Sequence, residues 1–255
     1  MGAVEGKTCI VTGGAVMLVD LDADKLNFAV RELATDRAAF VAADLAEAAD
    51  AQICRRHVAC WGKSHVLFSN AGNDGPLMPI TEYPEDQFDR IIATYVRGYF
   101  LACKHTIPHM IDGGSIIITS STAGVKGVPG NRSYVAAKQA LMGLMRCTAR
   151  EVASRGIPVN SVNPGPVNNR FMRTAEKTMS KLIGRDASEW FDEQIPFGRR
   201  AMPDEIVQAV LSRLRPQQLH QRYGSYGRWR VLRSSDPRSR RWLKIASRLR
   251  REIGS

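Results

Sequence analysis

Short apolar runs alternate along this chain with longer stretches whose apolar positions recur at helical spacing. Thr8–Thr12 is a β-branched run closed by Gly13 and Gly14, and Val16–Val19 is a second, closed by Asp20, Leu21 and Asp22. Residues 23–35 read as a helix, Ala38–Ala42 as a strand closed by Asp44, and residues 46–61 as a helix. Val66–Phe68 is a buried strand followed by Ser69, Asn70, Ala71 and Gly72. Residues 84–111 hold a short amphipathic helix and a long apolar one, and Ser115–Thr119 is a further strand leading to Ser120 and Ser121. A helix over 132–155 and a strand over 157–162, closed by Asn163, Pro164 and Gly165, complete the pattern. Strands alternating with helices predict an α/β fold with a doubly wound, mostly parallel sheet covered on both faces. Such sheets bind ligands beyond the carboxyl ends of their strands. Thr12, Asp20, Asp44, Asn70, Ser121 and Pro164 all fall at ends of this kind.

One connection breaks the pattern. Parallel neighbours need a crossover of about a dozen residues or more. Gly13, Gly14 and Ala15 cannot supply one, so the first two strands are expected either to form an antiparallel hairpin or to run on as one. Either outcome changes the second strand's direction or register.

Composition changes the picture mainly at one end. At 255 residues the chain fits one domain with a full core. Of its net charge of +11, none belongs to residues 1–211, where 23 Lys and Arg face 23 Asp and Glu. Residues 212–255 carry 13 cations, 12 of them arginine, against 2 acids. The chain therefore divides into a domain over 1–211 and a basic tail over 212–255. Trp242 and Leu243 among arginines give the tail a possible role on nucleic acid or an anionic surface. An out-of-frame tail that is merely basic explains the same composition. No apolar run approaches the ~18 residues that a membrane span needs. Glu5 and Lys7 interrupt the start, so no secretory leader is expected. Five scattered cysteines without a C-x-x-C pair predict reduced, mostly buried thiols in the cytoplasm, and no metal centre is expected.

The candidate chemistry lies at Tyr134 and Lys138, which share one face of their helix. A nearby ammonium is expected to lower the phenol's pKa and fit it to exchange a proton with an alcohol oxygen, with Ser121 holding that oxygen. With these residues in place, the chain resembles a classical short-chain dehydrogenase/reductase over roughly residues 5–211. Thr12-Gly13 resembles the start of that family's glycine-rich turn, and Ser69-Asn70-Ala71-Gly72 its N-N-A-G segment. Ser121, Tyr134 and Lys138 match its catalytic serine, tyrosine and lysine in type and spacing. Pro164-Gly165 matches its P-G, and Pro203-Asp204-Glu205-Ile206 the start of a late helix.

The resemblance implies a Rossmann-like fold and hydride transfer between an alcohol and a ketone, with Tyr134 as general acid/base. It also implies an NAD(P) site formed by Gly13, Asp20, Asp44, Leu45, Asn70, Ala71, Gly72, Tyr134, Lys138, Pro164, Gly165, Val167 and Asn169. Asp20, where the family binds the adenosine ribose, favours NAD over NADP because a carboxylate repels a 2′-phosphate. Family members are dimers or tetramers, and a lid is expected over residues 170–200. Its Phe171, Met172, Met179, Trp190 and Phe191 suit a cyclic or lipophilic alcohol.

The chain departs from the family in four ways. The glycine-rich turn stops after Ala15, and its helix is missing, so the pyrophosphate loses the N–H groups that normally hold it. Tyr95 stands for an asparagine that the family links to a proton relay behind the lysine. Ser69 and Asn169 replace an asparagine and a threonine but keep hydrogen-bonding capacity. After Leu211 the family ending is lost. A permissible coding sequence for residues 212 onward reads in its next frame as a family-like ending with Val-Asp-Gly-Gly, which predicts a shifted frame. Three function classes follow: an NAD-dependent oxidoreductase, a catalytically impaired remnant of one, and, behind both, a polyanion binder acting through the tail.

Overall fold

The computed structural model describes residues 8–12, 15–47, 50–128, 130–193 and 195–214. Six strands form one sheet in the order β3-β2-β1-β4-β5-β6. They are β1 (Thr8–Thr12), β2 (Ala15–Asp20), β3 (Ala38–Ala42), β4 (Ser64–Ser69), β5 (Met110–Thr119) and β6 (Val159–Val162). β2 pairs with β3, β4 with β5 and β5 with β6, all parallel. β1 is antiparallel to both of its neighbours.

β1 and β2 form the hairpin that their short connection requires, with Thr12 opposite Ala15 and Thr8 opposite Val19. The strand that turns round is the first, not the second as expected. β2 is held in direction by its crossover through α1 (Ala23–Glu32) to its parallel neighbour β3. β1 leads into no helix, so nothing opposes its reversal, and antiparallel ladders satisfy its backbone on both sides. The C-terminal end of β1 therefore lies at the amino edge of the sheet. Thr12 does not join the residues at the carboxyl edge, contrary to the sequence expectation. Gly13, assigned to the cofactor, lies outside the described residues, between Thr12 and Ala15 of this hairpin.

One face of the sheet carries the larger core. There α2 (Asp50–Trp61), α4 (Gly98–Thr106) and α5 (Arg132–Glu151) pack with Met17, Leu67, Ile116 and Ile118 beneath them. On the other face α1 sets Leu26 and Ala29 against Leu18, and α8 (Pro203–Leu214) sets Val210 against Ile117 and Val162. Half-buried Phe68 of β4 packs against both of these smaller clusters. α8 runs on to Leu214, past the boundary drawn at Leu211. The remaining tail lies outside the described residues.

Local chemistry explains the boundaries. Asp22 caps α1 by accepting from the Lys25 amide at 3.0 Å. α2 begins at Asp50, later than expected, because Asp44 first makes a turn in which its carboxylate accepts from the Ala46 amide at 2.9 Å. α3 (Glu85–Ile92) passes into α4 through a wide π-type turn over Ala93–Arg97. Of the three cysteines whose side chains are described, Cys103 is buried and Cys60 and Cys147 are exposed, so the expected burial fails for two. Among the described residues no helix is long and apolar enough to cross a membrane.

Candidate active site

The carboxyl ends of β2 to β6 bring most of the candidate residues to one edge. Asp20 ends β2, and Asp44 and Leu45 follow β3. Asn70, Ala71 and Gly72 follow β4, Ser121 follows β5, and Pro164 and Gly165 follow β6. The Thr122 amide donates to the Pro164 carbonyl at 2.9 Å, which ties the last two loops together. Val167 and Asn169 lead into the helix that begins at Arg170. Val167 pairs with Ala201, and the Asn169 side chain caps α6 (Arg170–Ile183) by accepting from the Met172 amide at 2.9 Å. That cap uses the carboxamide oxygen and leaves the amide NH2 of Asn169 for a ligand.

Ser121 and Lys138 flank Tyr134. The Ser121 hydroxyl accepts from the Ala123 amide at 3.1 Å and lies 3.5 Å from the Pro164 carbonyl. Tyr134 is half-buried, and burial pushes its phenol above the usual tyrosine range. A hydrogen bond from Ser121 pulls it back, and the Asp74 carboxylate raises it further. The expected lowering by Lys138 is not found. The Lys138 ammonium is 5.3 Å from the Tyr134 ring centre, donates to the Thr119 carbonyl at 2.8 Å, and lies 4.0 Å over the Tyr95 ring. Burial pushes its own pKa down to about 7, so its charge is partly lost at neutral pH and cannot dominate the phenol.

Tyr95 fills the space behind these groups. It is buried, meets Tyr134 edge-on at 5.7 Å and donates its hydroxyl to the Asn73 carbonyl at 2.7 Å. A Cβ on Gly72 would overlap its ring, so the glycine and the tyrosine are fitted to each other. On the other side Phe171 of α6 rests against Tyr134 at 6.1 Å. Arg200 joins Glu176 on α6 to Asp192 on α7 (Ala187–Glu193).

Sequence reasoning missed Asp74. Its half-buried carboxyl is pushed up by burial, and both Tyr134 and Tyr95 feel its charge. It lines a cavity of about 480 Å³ with Asn73, Gln87 and Arg90. Its place just beyond Gly72 at a strand end was the available signal.

A family model described as enoyl-(acyl carrier protein) reductase matches residues 2–217. An uncharacterized oxidoreductase of Bacillus subtilis, YxbG, is 32% identical over 237 residues, covering 83% of this chain and 85% of its own length. That aligned stretch is longer than the share of this chain it takes in, so the relative carries residues that this chain lacks. The 2-dehydro-3-deoxy-L-rhamnonate dehydrogenase (NAD(+)) of a Sphingomonas species is 30% identical, covering 79% of this chain and 78% of its own. A crystal structure of NAD+-bound xylitol dehydrogenase superposes with a TM-score of 0.74 at 29% identity, covering 80% of this chain and 83% of that one. The chain belongs to the classical short-chain dehydrogenase/reductase family, and its fold is the Rossmann-like α/β fold of that family.

The residues present fit one end of a nicotinamide dinucleotide and not its middle. Tyr134 and Lys138 of α5 meet Ser121 and Thr119 at the end of β5, Pro164 is tied to the same loop, and Asn169 lies two residues before Phe171, which meets Tyr134. A pyrophosphate needs backbone N–H groups, normally at a helix N-terminus. Here no helix follows β1, and the start of β1 occupies the carboxyl edge beside Val19.

Proposed function

We propose that this chain is an oxidoreductase acting between a secondary alcohol and a ketone with a nicotinamide cofactor, NAD in preference to NADP. The observation that carries this reading is the convergence of Ser121, Tyr134 and Lys138 around a half-exposed phenol at the carboxyl edge of the sheet. The nicotinamide supplies or accepts the hydride when bound. Tyr134 holds the proton that the substrate oxygen gains or loses, and its raised pKa keeps it protonated at neutral pH, as ketone reduction needs. Ser121 orients that oxygen. Lys138 would hold the ribose. Asp20 supports NAD, because its carboxylate repels a 2′-phosphate. The NAD+-bound xylitol dehydrogenase and the NAD(+)-dependent Sphingomonas relative support the same choice.

A second reading, an impaired remnant of such an enzyme, is favoured by the reversed β1. Turnover of cyclic and lipophilic ketones at several-millimolar NADH separates the two. The proposal expects slow but protein-dependent oxidation of NADH, and slower oxidation of NADPH. Absence of turnover at saturating cofactor leaves the remnant. Sub-millimolar NAD is expected to give no thermal shift under either reading, since ligand stabilisation scales with concentration over Kd.

A further inference from the structure

Resting on that reading, we propose that the part of the cofactor this chain recognises ends at the nicotinamide riboside. The adenylate half of the dinucleotide then adds little favourable binding, and Asp20 acts on it only by repelling a 2′-phosphate. In a parallel arrangement the end of β1 would deliver a turn and a helix N-terminus to the carboxyl edge, between β2 and β4. Here that position is taken by Thr8, the start of β1, opposite Val19. The end of β1, Thr12, lies opposite Ala15 at the amino edge.

The groups that remain nearby do not replace the lost donors. The Asp22 and Ala46 amides at the ends of β2 and β3 already donate to the carboxylates of Asp20 and Asp44, at 3.1 and 2.9 Å. Two cations among the described residues of this edge are also engaged. Arg90 pairs with Asp44 at 3.6 Å, and Arg97 donates to the Ala46 carbonyl at 2.9 Å. The Asp20 and Asp44 carboxylates add negative charge to this edge, which disfavours a dianionic pyrophosphate. At the riboside end the Tyr134 hydroxyl, the Lys138 amine and the Asn169 amide are present. A ligand gripped at one end only gains nothing from carrying the other.

The full chain is titrated with NADH, with reduced nicotinamide mononucleotide and with ADP-ribose. Saturation-transfer NMR reports binding, so no turnover is required. The expected result is that NADH and the reduced mononucleotide bind within about five-fold of each other, and that ADP-ribose fails to displace either. NADH binding about a hundred-fold tighter than the mononucleotide, or displacement by sub-millimolar ADP-ribose, would overturn the inference while leaving the oxidoreductase reading intact. If neither nicotinamide compound binds, both the inference and the reading on which it rests are lost.

Discussion

Tyr134→Phe is expected to lower turnover by about 10²–10⁴-fold, the usual contribution of a positioned proton donor. The phenol oxygen is the only atom the change removes. The ring still meets Tyr95 at 5.7 Å and Phe171 at 6.1 Å, so the pocket keeps its packing. Neither flanking group replaces the phenol. Ser121 is a poor acid, and Lys138 is turned to the Thr119 carbonyl at 2.8 Å. Steady-state rates at saturating cofactor measure the loss, with thermal unfolding as a check that the variant folds. Turnover retained within a few-fold would remove Tyr134 from the chemistry.

Gly72→Ala is expected to destabilise the fold by about 3 kcal/mol, at the upper end of overpacking costs. The new methyl overlaps the Tyr95 ring, and that ring cannot retreat. Its hydroxyl is tied to the Asn73 carbonyl, Lys138 lies against its face, and Tyr134 meets it edge-on. Shortening the partner should relieve the clash, so Gly72→Ala combined with Tyr95→Asn is expected to be more stable than Gly72→Ala combined with Tyr95→Phe. Denaturant unfolding of the three variants measures this. Equal stability of the two double variants would show that the ring does not set the cost.

Much of this was legible in the sequence because it depends on local pattern. The alternation of apolar runs gave the strands. Four-residue spacing put Tyr134 and Lys138 on one helix face, and strand ends located Asp20, Asn70, Ser121 and Pro164. Chain length alone excluded parallel pairing of the first two strands, since Thr12 and Val16 are too close for a crossover, and left a hairpin or one continuous strand. Which strand reversed was not legible, because direction is decided by partners distant in sequence: β3 through its crossover for β2, and β4 for β1. Burial was equally hidden. The pKa of Lys138 falls to about 7 because the fold encloses it, and the spacing of two residues cannot report that. Asp74 escaped notice for the same reason. Its carboxyl matters through its burial near Tyr134, not through a motif.

The account turns on the direction of β1. Cross-strand NOEs in the isotopically labelled full chain read it directly. The account predicts contacts of Thr8 with Val19, of Thr12 with Ala15, and of Cys9 with Phe68 across the other ladder. Absence of these contacts, with Thr12 and Ala15 joined in one continuous strand, would mean that β1 does not fold back on β2 and that the phosphate site is not lost as described.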